Sequence, residues 1–249
     1  MDETASDSDA QPSVEVRLIL LWLPERADPD DWRILSSAER ERAGRFLVPA
    51  VAARYVHMRA TLRRVLSDLE GRPAASLVLQ EGPNGKPALS PDGVHFNMSH
   101  SHGIGVIAVS ADAPVGVDVE RIQPIEVDLI EPFFAPAERA ALAALSGPDR
   151  LRGLYRCWCR KEAYVKALGV GLSLPLDSFV VSVEATPEVV LASNGRAEAW
   201  RLVSPDITDG YEAALAVRAD GRPVRVMLDW ETAGRVSPLA GSGFRPVSG

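Results

Sequence analysis

Residues 115–120 read Val-Gly-Val-Asp-Val-Glu, an alternation of valines with other residue types near the middle of the 249-residue chain. Successive side chains of a β-strand point to opposite faces of its sheet, so this alternation predicts a strand with its valines on one face. Asp118 and Glu120 then emerge together on the other face. The stretch therefore predicts both a strand and a pair of neighbouring carboxylates.

Similar patterns on both sides of this strand predict the remaining elements. Before it, strands are expected at 14–23, 77–80, 94–99 and 104–110, with a helix near Ser37 and a long helix at 51–70 that stops at Gly71. After it, helices are expected at 137–145 and 149–168, and strands at 179–184, 197–203, 211–217 and 224–228. This order predicts an α+β fold of two similar α/β halves, although no close sequence repeat marks them.

The expected halves are residues 14–112 and 113–232, which meet near 111–114. Residues 1–13 and 233–249 are rich in small, polar and turn-forming types. We expect them to be a disordered N-terminal tail and a flexible C-terminal tail.

Composition narrows the class of protein. A hydrophobic fraction of 46% and a charged fraction of 24% are typical of a globular domain. The net charge of −7 disfavours a nucleic-acid binder. The longest apolar run, 16–23, is too short to cross a bilayer, and the acidic start of the chain does not resemble a signal peptide. We therefore expect a cytoplasmic protein without membrane partners, in which Cys157 and Cys159 form neither a disulfide nor a zinc pair.

The basic residues are unevenly distributed. Seven arginines crowd residues 40–64, so a small, phosphate-rich ligand is plausible. Only Lys86, Lys161 and Lys166 among the 27 basic residues are lysines. Such a bias is expected where a compact ammonium is needed, although three residues do not exclude chance.

Asp118 and Glu120 repel each other unless a cation neutralises them. Magnesium favours a few carboxylates and fills its remaining positions with water and substrate phosphate. For an isolated Asp-x-Glu triplet, however, a solvated strand face is the commoner explanation.

A second pattern lies on the helix expected at 149–168. Trp158, Glu162 and Lys166 recur every four residues and share one helix face. Glu162 could complete a metal site and Lys166 could neutralise a phosphate. Taken alone, the same spacing also describes an ordinary surface ion pair.

Two further segments carry polar groups. Residues 96–103, Phe-Asn-Met-Ser-His-Ser-His-Gly, lead into a glycine-containing turn and include Ser99 and His100, which could hold a phosphate. His100 and His102 could instead suggest zinc, but no further histidine or cysteine lies at a supporting spacing. Gly85-Lys86-Pro87 by itself predicts only a turn.

These four segments, in this order, resemble the Sfp-type family of 4'-phosphopantetheinyl transferases from about Ser37 to beyond Phe179. Gly-Lys-Pro, Phe-Asn-Met-Ser-His-Ser, Gly-Val-Asp-Val-Glu and the long block at 158–179 all look like motifs of that family. The resemblance implies a monomeric pseudo-dimer of two α/β halves with the active site in the cleft between them. It also implies coenzyme A as donor, magnesium as cofactor and an apo carrier protein as acceptor.

The resemblance also implies roles for individual residues. Asp118, Glu120 and Glu162 would bind magnesium, and Glu162, Lys166 and Asp118 would be catalytic. The residues implied to contact coenzyme A are Arg42, Arg54, Lys86, Ser99, His100, Lys161 and Lys166. Glu39 departs from the family pattern, since some relatives have a basic residue there.

The implied reaction is attack by a serine of the carrier on the phosphorus that bears pantetheine, with release of 3',5'-ADP. Glu162 or a metal-bound water would take the serine proton. The carrier could belong to fatty-acid, polyketide or nonribosomal peptide synthesis, including secondary metabolite biosynthesis. Two alternatives remain at this level: a binding module without catalysis, and a magnesium-dependent phosphohydrolase.

Overall fold

A computed structural model describes residues 12–82, 84–89, 93–125, 130–187, 189–191 and 199–231. The tails expected at 1–13 and 233–249 lie outside these ranges, apart from residues 12 and 13. The α-helices are α1 (Pro29–Ile34), α2 (Ser37–Gly44), α3 (Pro49–Glu70), α4 (Pro136–Ala143) and α5 (Gly147–Leu168). The strands are β1 (Val14–Trp22), β2 (Gln80–Glu81), β3 (Pro87–Ala88), β4 (His95–Ser101), β5 (Ile104–Ser110), β6 (Val115–Arg121), β7 (Val180–Val181), β8 (Val189–Leu191), β9 (Trp200–Val203), β10 (Tyr211–Arg218) and β11 (Val224–Trp230).

Most of these elements follow the periodicity of the sequence. The strand expected at 104–110 is present in full, and α3 ends at Gly71, which has the left-handed φ of 63° that favours glycine. The strand expected at 179–184 is shorter, because only Val180–Val181 pairs with a neighbour. Helix α1 was not expected, although Asp28 caps its N-terminus and Pro29 occupies its first position.

Two sheets form the centre of the molecule. The first has the strand order β11-β1-β5-β4 and the second has β6-β10-β9. Strand β11 lies parallel to β1, with Val224 opposite Val14. The second expected half, 113–232, therefore contributes its last strand to the sheet of the first half.

The two sheets pack face to face, and each carries one long helix on its outer face. Between the sheets lies a core that includes Val16, Leu18, Val106, Val117, Val119 and Leu215. Between α3 and the first sheet lie Ile19, Leu21, Met58, Leu62, Leu66 and Ile107, among others. Between α5 and the second sheet lie Ala163, Tyr164, Trp200, Leu202, Ala214 and Ala216, among others. This α/β/β/α arrangement is the two-half α+β fold expected from the sequence.

Gly116 lets α5 approach β6 very closely. A Cβ atom at this position would lie 2.2 Å from the carbonyl oxygen of Ala163 and 2.3 Å from the amide nitrogen of Ala167. Both are backbone atoms, so no side-chain rotation relieves the clash. The glycine therefore sets the distance between the strand that carries Asp118 and the helix that carries Lys166.

A buried ion cluster holds the outer elements of the first half together. His57 on α3 lies 2.9 Å from Asp31 of α1 through Nδ1 and 2.9 Å from Glu231, just after β11, through Nε2. Burial alone would lower the pKa of His57, but the two carboxylates raise it to about 9. The imidazolium thus joins three segments that are distant in sequence.

Across the described residues, no helix has the length and apolar character needed to cross a membrane.

Candidate active site

Side chains of β4 bridge the two sheets where β4 meets β6. Asn97 Oδ1 accepts a hydrogen bond from the backbone N–H of Val117 at 2.9 Å. Two residues further along β4, Ser99 Oγ donates to Asp118 Oδ1 at 2.8 Å. This spacing follows from the alternation of side chains along a strand. The edge of one sheet thus orients a carboxylate on the edge of the other.

Asp118 also meets α5. Lys166 Nζ lies 2.6 Å from Asp118 Oδ1 and 3.0 Å from Ser99 Oγ. Asp118 is buried, with 3% of its surface exposed. Its second oxygen, Oδ2, is buried and has no hydrogen-bond partner among the described residues, which is costly for a carboxylate.

A cavity of about 340 Å³ opens over this pair. Its lining consists of Met98, Ser99, His100, Asp118, Glu120, Trp158, Glu162 and Lys166. The face shared by Asp118 and Glu120 and the helix stripe of Trp158, Glu162 and Lys166 were both expected from the sequence. The structure places both sets around one space.

Negative charge accumulates in this cavity. Burial raises the pKa of Glu162 above its ordinary value, and repulsion from Asp118 adds to the rise. The pKa of Glu120 is raised for the same two reasons, although Ser101 opposes the shift. Carboxylates in this situation favour the arrival of a cation.

The donor chemistry fits a hard divalent cation, because Asp118, Glu120 and Glu162 offer only oxygen and one Asp118 oxygen has no partner. The three carboxylates are not close enough together to form a complete metal-binding site. In the described part of the chain, no group of three or more His, Cys, Asp or Glu side chains is arranged to hold a metal ion as it stands. In this state the ammonium of Lys166 contacts Asp118 instead.

A larger cavity of about 670 Å³ adjoins the first and shares Met98, Ser99 and His100 with it. Arg42 lies on its wall, with its guanidinium 5.6 Å from the centre of the Tyr55 ring. An aromatic ring can stack on a nucleobase, and an arginine beside it can bind a phosphate. Partial burial lowers the pKa of His100, and the nearby charges of Lys166 and Arg54 lower it further. The Nε of Arg54 is buried and finds no hydrogen-bond partner in the part of the chain that the structure describes.

The structure explains why a glutamate occupies position 39, in the wall of the larger cavity. Its carboxylate accepts hydrogen bonds from Arg59 Nε and Arg63 Nε, both at 2.7 Å, and caps α2 through the N–H of Ser36. Burial would raise the pKa of Glu39, but the two arginines and the cap hold it below its ordinary value. Glu39 is thus a buried anchor for two arginines of the cavity.

Lys86 does not occupy the position expected for a nucleotide contact. Its Nζ donates to the carbonyl oxygens of Val115, Lys166 and Ala167 at 3.1, 2.8 and 3.3 Å. Burial lowers the pKa of Lys86 to about 8. The ammonium therefore joins the β2–β3 turn to β6 and the end of α5. Lys86 also lines a cavity of about 370 Å³, so its contact with coenzyme A stays a prediction.

The expectation that Lys161 binds coenzyme A is wrong. Its side chain is fully buried, with Nζ 2.8 Å from Glu138 Oε1 and donating to the carbonyls of Leu176 and Phe179. Neighbouring helix residues lie about 100° apart around the axis, so Lys161 faces the core while Glu162 faces the cavity. The pair ties α4 and the 176–179 segment to α5.

A third cavity, of about 370 Å³, lies on the other side of Glu162 and Lys166. Its lining includes Asn97, Met98, Val165, Leu174 and Leu176. Met98 lines all three cavities and is the point at which they meet. No signal in the sequence predicts this role for Met98, because a methionine in a strand usually indicates core packing.

Comparison with known proteins gives one consistent family. A family model described as the 4'-phosphopantetheinyl transferase superfamily matches residues 114–216. The chain is 28% identical to the 4'-phosphopantetheinyl transferase gsp of Aneurinibacillus migulanus, over 80% of this chain and 84% of that protein. It is 31% identical to the 4'-phosphopantetheinyl transferase Sfp of Bacillus subtilis, over 74% of this chain and 87% of that protein. It is also 31% identical to the 4'-phosphopantetheinyl transferase HetI of a Nostoc species, over 80% of this chain and 84% of that protein.

Proposed function

This chain belongs to the 4'-phosphopantetheinyl transferase superfamily, and from that premise we propose that the cavity over Asp118, Glu120 and Glu162 is its magnesium-assisted transfer site. The reaction moves the 4'-phosphopantetheine group of coenzyme A to a serine of an apo carrier protein. The observation that supports the assignment of the site is the contact of Asp118 with Lys166 in the wall of the charged cavity, which meets the other two cavities at Met98.

The three cavities match the three parts of coenzyme A. The nucleotide would occupy the 670 Å³ cavity beside Arg42 and Tyr55, where His100 would contact a phosphate. Arg54 does not line this cavity, but its charge acts on His100, so we propose that it supports the phosphate site from behind. The pyrophosphate would lie in the charged 340 Å³ cavity. The pantetheine arm would extend into the 370 Å³ cavity, where Leu174 and Leu176 offer apolar contacts.

Asp118, Glu120 and Glu162 are the residues that would hold the metal. Magnesium, when bound, would supply positive charge that stabilises the negative charge on the pyrophosphate and on the leaving 3',5'-ADP. Lys166 adds a second positive charge from α5, in a partly buried site where such charge is more effective than in water.

The transfer itself needs no nucleophile from this chain. The carrier serine Oγ forms a bond to the phosphorus that bears pantetheine, and the bond between that phosphorus and the bridging oxygen breaks. The leaving 3',5'-ADP keeps the electron pair. Glu162 lines the charged cavity and would take the hydroxyl proton.

The test is the mass of an apo carrier after incubation with the protein, coenzyme A and magnesium. We expect one added phosphopantetheine per carrier and no addition when EDTA is present. Tight binding of coenzyme A without modification of any carrier would favour a binding module. Release of 3',5'-ADP at an equal rate without carrier would favour a phosphohydrolase. Carriers from fatty-acid, polyketide and nonribosomal peptide synthesis, compared by kcat/KM, identify the preferred partner.

A further inference from the structure

Ser101 occupies the end of β4, two residues beyond Ser99 and on the same face of the strand. Its Oγ donates to Glu120 Oε2 at 2.7 Å. Ser101 is buried, with 7% of its surface exposed, and Glu120 lines the charged cavity. The hydroxyl therefore fixes one of the two carboxylate oxygens of Glu120.

Three groups surround the Ser101 hydroxyl, and Glu120 is the one that accepts its proton. A serine hydroxyl has one proton and two lone pairs. The backbone N–H of Arg121 donates to Ser101 Oγ at 3.1 Å, and Nδ1 of His102 lies 3.3 Å away. Because the Ser101 hydroxyl donates its proton to Glu120, the N–H of Arg121 and Nδ1 of His102 must both donate to the serine oxygen.

His102 is itself held in place. Donation from Nδ1 leaves Nε2 of the neutral ring as an acceptor, and Gln123 Nε2 lies 3.1 Å from it. His102 also has a φ of 52°, a left-handed conformation that is unfavourable for a residue other than glycine. The side-chain contacts give this strained turn position a reason to carry histidine.

We propose that Ser101 is a positioning residue that orients Glu120 as a metal ligand, and that His102 and the N–H of Arg121 orient Ser101 in turn. The inference rests on the proposed function, because it concerns the same metal. In the absence of Ser101, Glu120 would be free to rotate its carboxylate away from Asp118, with which it shares repulsion. The expected defect is therefore weaker metal binding.

The primary experiment measures Mn²⁺ binding in the presence of coenzyme A by electron paramagnetic resonance. Ser101→Ala removes one hydrogen bond to a charged group, so the Kd for Mn²⁺ should rise about tenfold or more. Ser101→Thr retains the hydroxyl and should restore most of the affinity. Ser110→Ala is the matched control, because Ser110 is also buried at the end of a strand, and its Oγ accepts from the backbone N–H of Asp112 and not from a group of the charged cavity.

A kinetic measurement separates positioning from general loss of structure. In Ser101→Ala, the magnesium concentration for half-maximal transfer should rise while kcat at saturating magnesium stays within a few-fold of wild type. His102→Gly suits the positive φ and removes only the imidazole, so it should produce a smaller rise of roughly two- to fivefold. If Ser101→Ala does not fold, the smaller rise in the magnesium requirement of His102→Gly still supports the proposal.

Two results would overturn the inference. One is a wild-type Mn²⁺ Kd in folded Ser101→Ala, and the other is an equal rise in Ser101→Thr and Ser101→Ala. In both cases the proposed function survives, because the wild-type protein still binds metal and modifies its carrier. Absence of Mn²⁺ binding and of metal-dependent transfer by the wild-type protein would overturn both proposals together.

Discussion

Lys166 and Asp118 form an ion pair across the interface between α5 and β6, with Nζ 2.6 Å from Oδ1. The pair joins the helix stripe of Trp158, Glu162 and Lys166 to the strand face of Asp118 and Glu120. Gly116 makes this approach possible, because a side chain there would meet the helix backbone. The charge pattern of the active site thus depends on one close packing contact.

Substitution of Lys166 should impair transfer more than stability. Lys166→Met removes the ammonium from the phosphate site, and we expect kcat to fall roughly 10²-fold or more. Lys166→Arg should also be impaired, since a planar guanidinium places its charge differently. The measurement is kcat at saturating coenzyme A and carrier, with Arg72→Lys as an exposed control. Full activity of Lys166→Arg would contradict the requirement for an ammonium.

Gly116→Ala should displace α5 from β6. The new methyl group overlaps two backbone atoms, so we expect a loss of about 1–3 kcal/mol or more of unfolding free energy and reduced transfer. Gly44→Ala is the matched control, because no heavy atom lies within 4 Å of its added Cβ. Thermal denaturation and kcat together check this prediction. Equal behaviour of the two variants would show that the close approach is unimportant.

Lys161→Met should affect stability and leave the affinity for coenzyme A unchanged. The substitution leaves Glu138 as a buried, unpaired carboxylate, which typically costs about 3–5 kcal/mol. A double variant with Glu138→Gln should recover part of that loss, because it removes the charge and keeps an acceptor for the N–H groups of Ala135 and Val181. The measurements are unfolding in urea and the Kd for coenzyme A at a temperature where the variant is folded. Normal stability of Lys161→Met together with a raised Kd for coenzyme A would instead show that Lys161 contributes to coenzyme A binding.

The His57 cluster should make stability depend on alkaline pH. The folded pKa of about 9 lies above the ordinary value of 6.5, so the stabilisation is complete below pH 6.5 and is lost as pH rises through 9. We expect the free energy of unfolding to fall by on the order of 1–2 kcal/mol over this interval, after allowance for solvent screening. His57→Gln should lack this fall. Parallel pH profiles for the two proteins would contradict the assignment.

Local periodicity predicted the part of the site that depends on one element at a time. The alternation at 115–120 placed Asp118 and Glu120 on one face, and helical spacing placed Glu162 and Lys166 on one stripe. The same periodicity could have excluded Lys161 from the predicted contacts with coenzyme A, because it is adjacent to Glu162 and therefore faces the core. It could also have singled out Ser101, which shares its strand face with Ser99.

Long-range contacts were not predictable from such patterns. The return of β11 to β1 depends on pairing between strands about 200 residues apart in the chain, and no local signal specifies it. The burial of Lys86 against the end of α5 depends on how the two halves pack. No local pattern predicts the burial of Glu39, and only the fold brings Arg59 and Arg63 to it.

The central claim is that Asp118 serves a metal-assisted transfer of phosphopantetheine from coenzyme A to a carrier. The most direct test is the mass of an apo carrier incubated with coenzyme A and magnesium, together with wild-type protein or Asp118→Asn. We predict complete addition of one phosphopantetheine by the wild-type protein, none in EDTA, and a loss of at least about 10²-fold in rate for the folded variant. A folded Asp118→Asn protein that modifies the carrier at the wild-type rate would contradict the account.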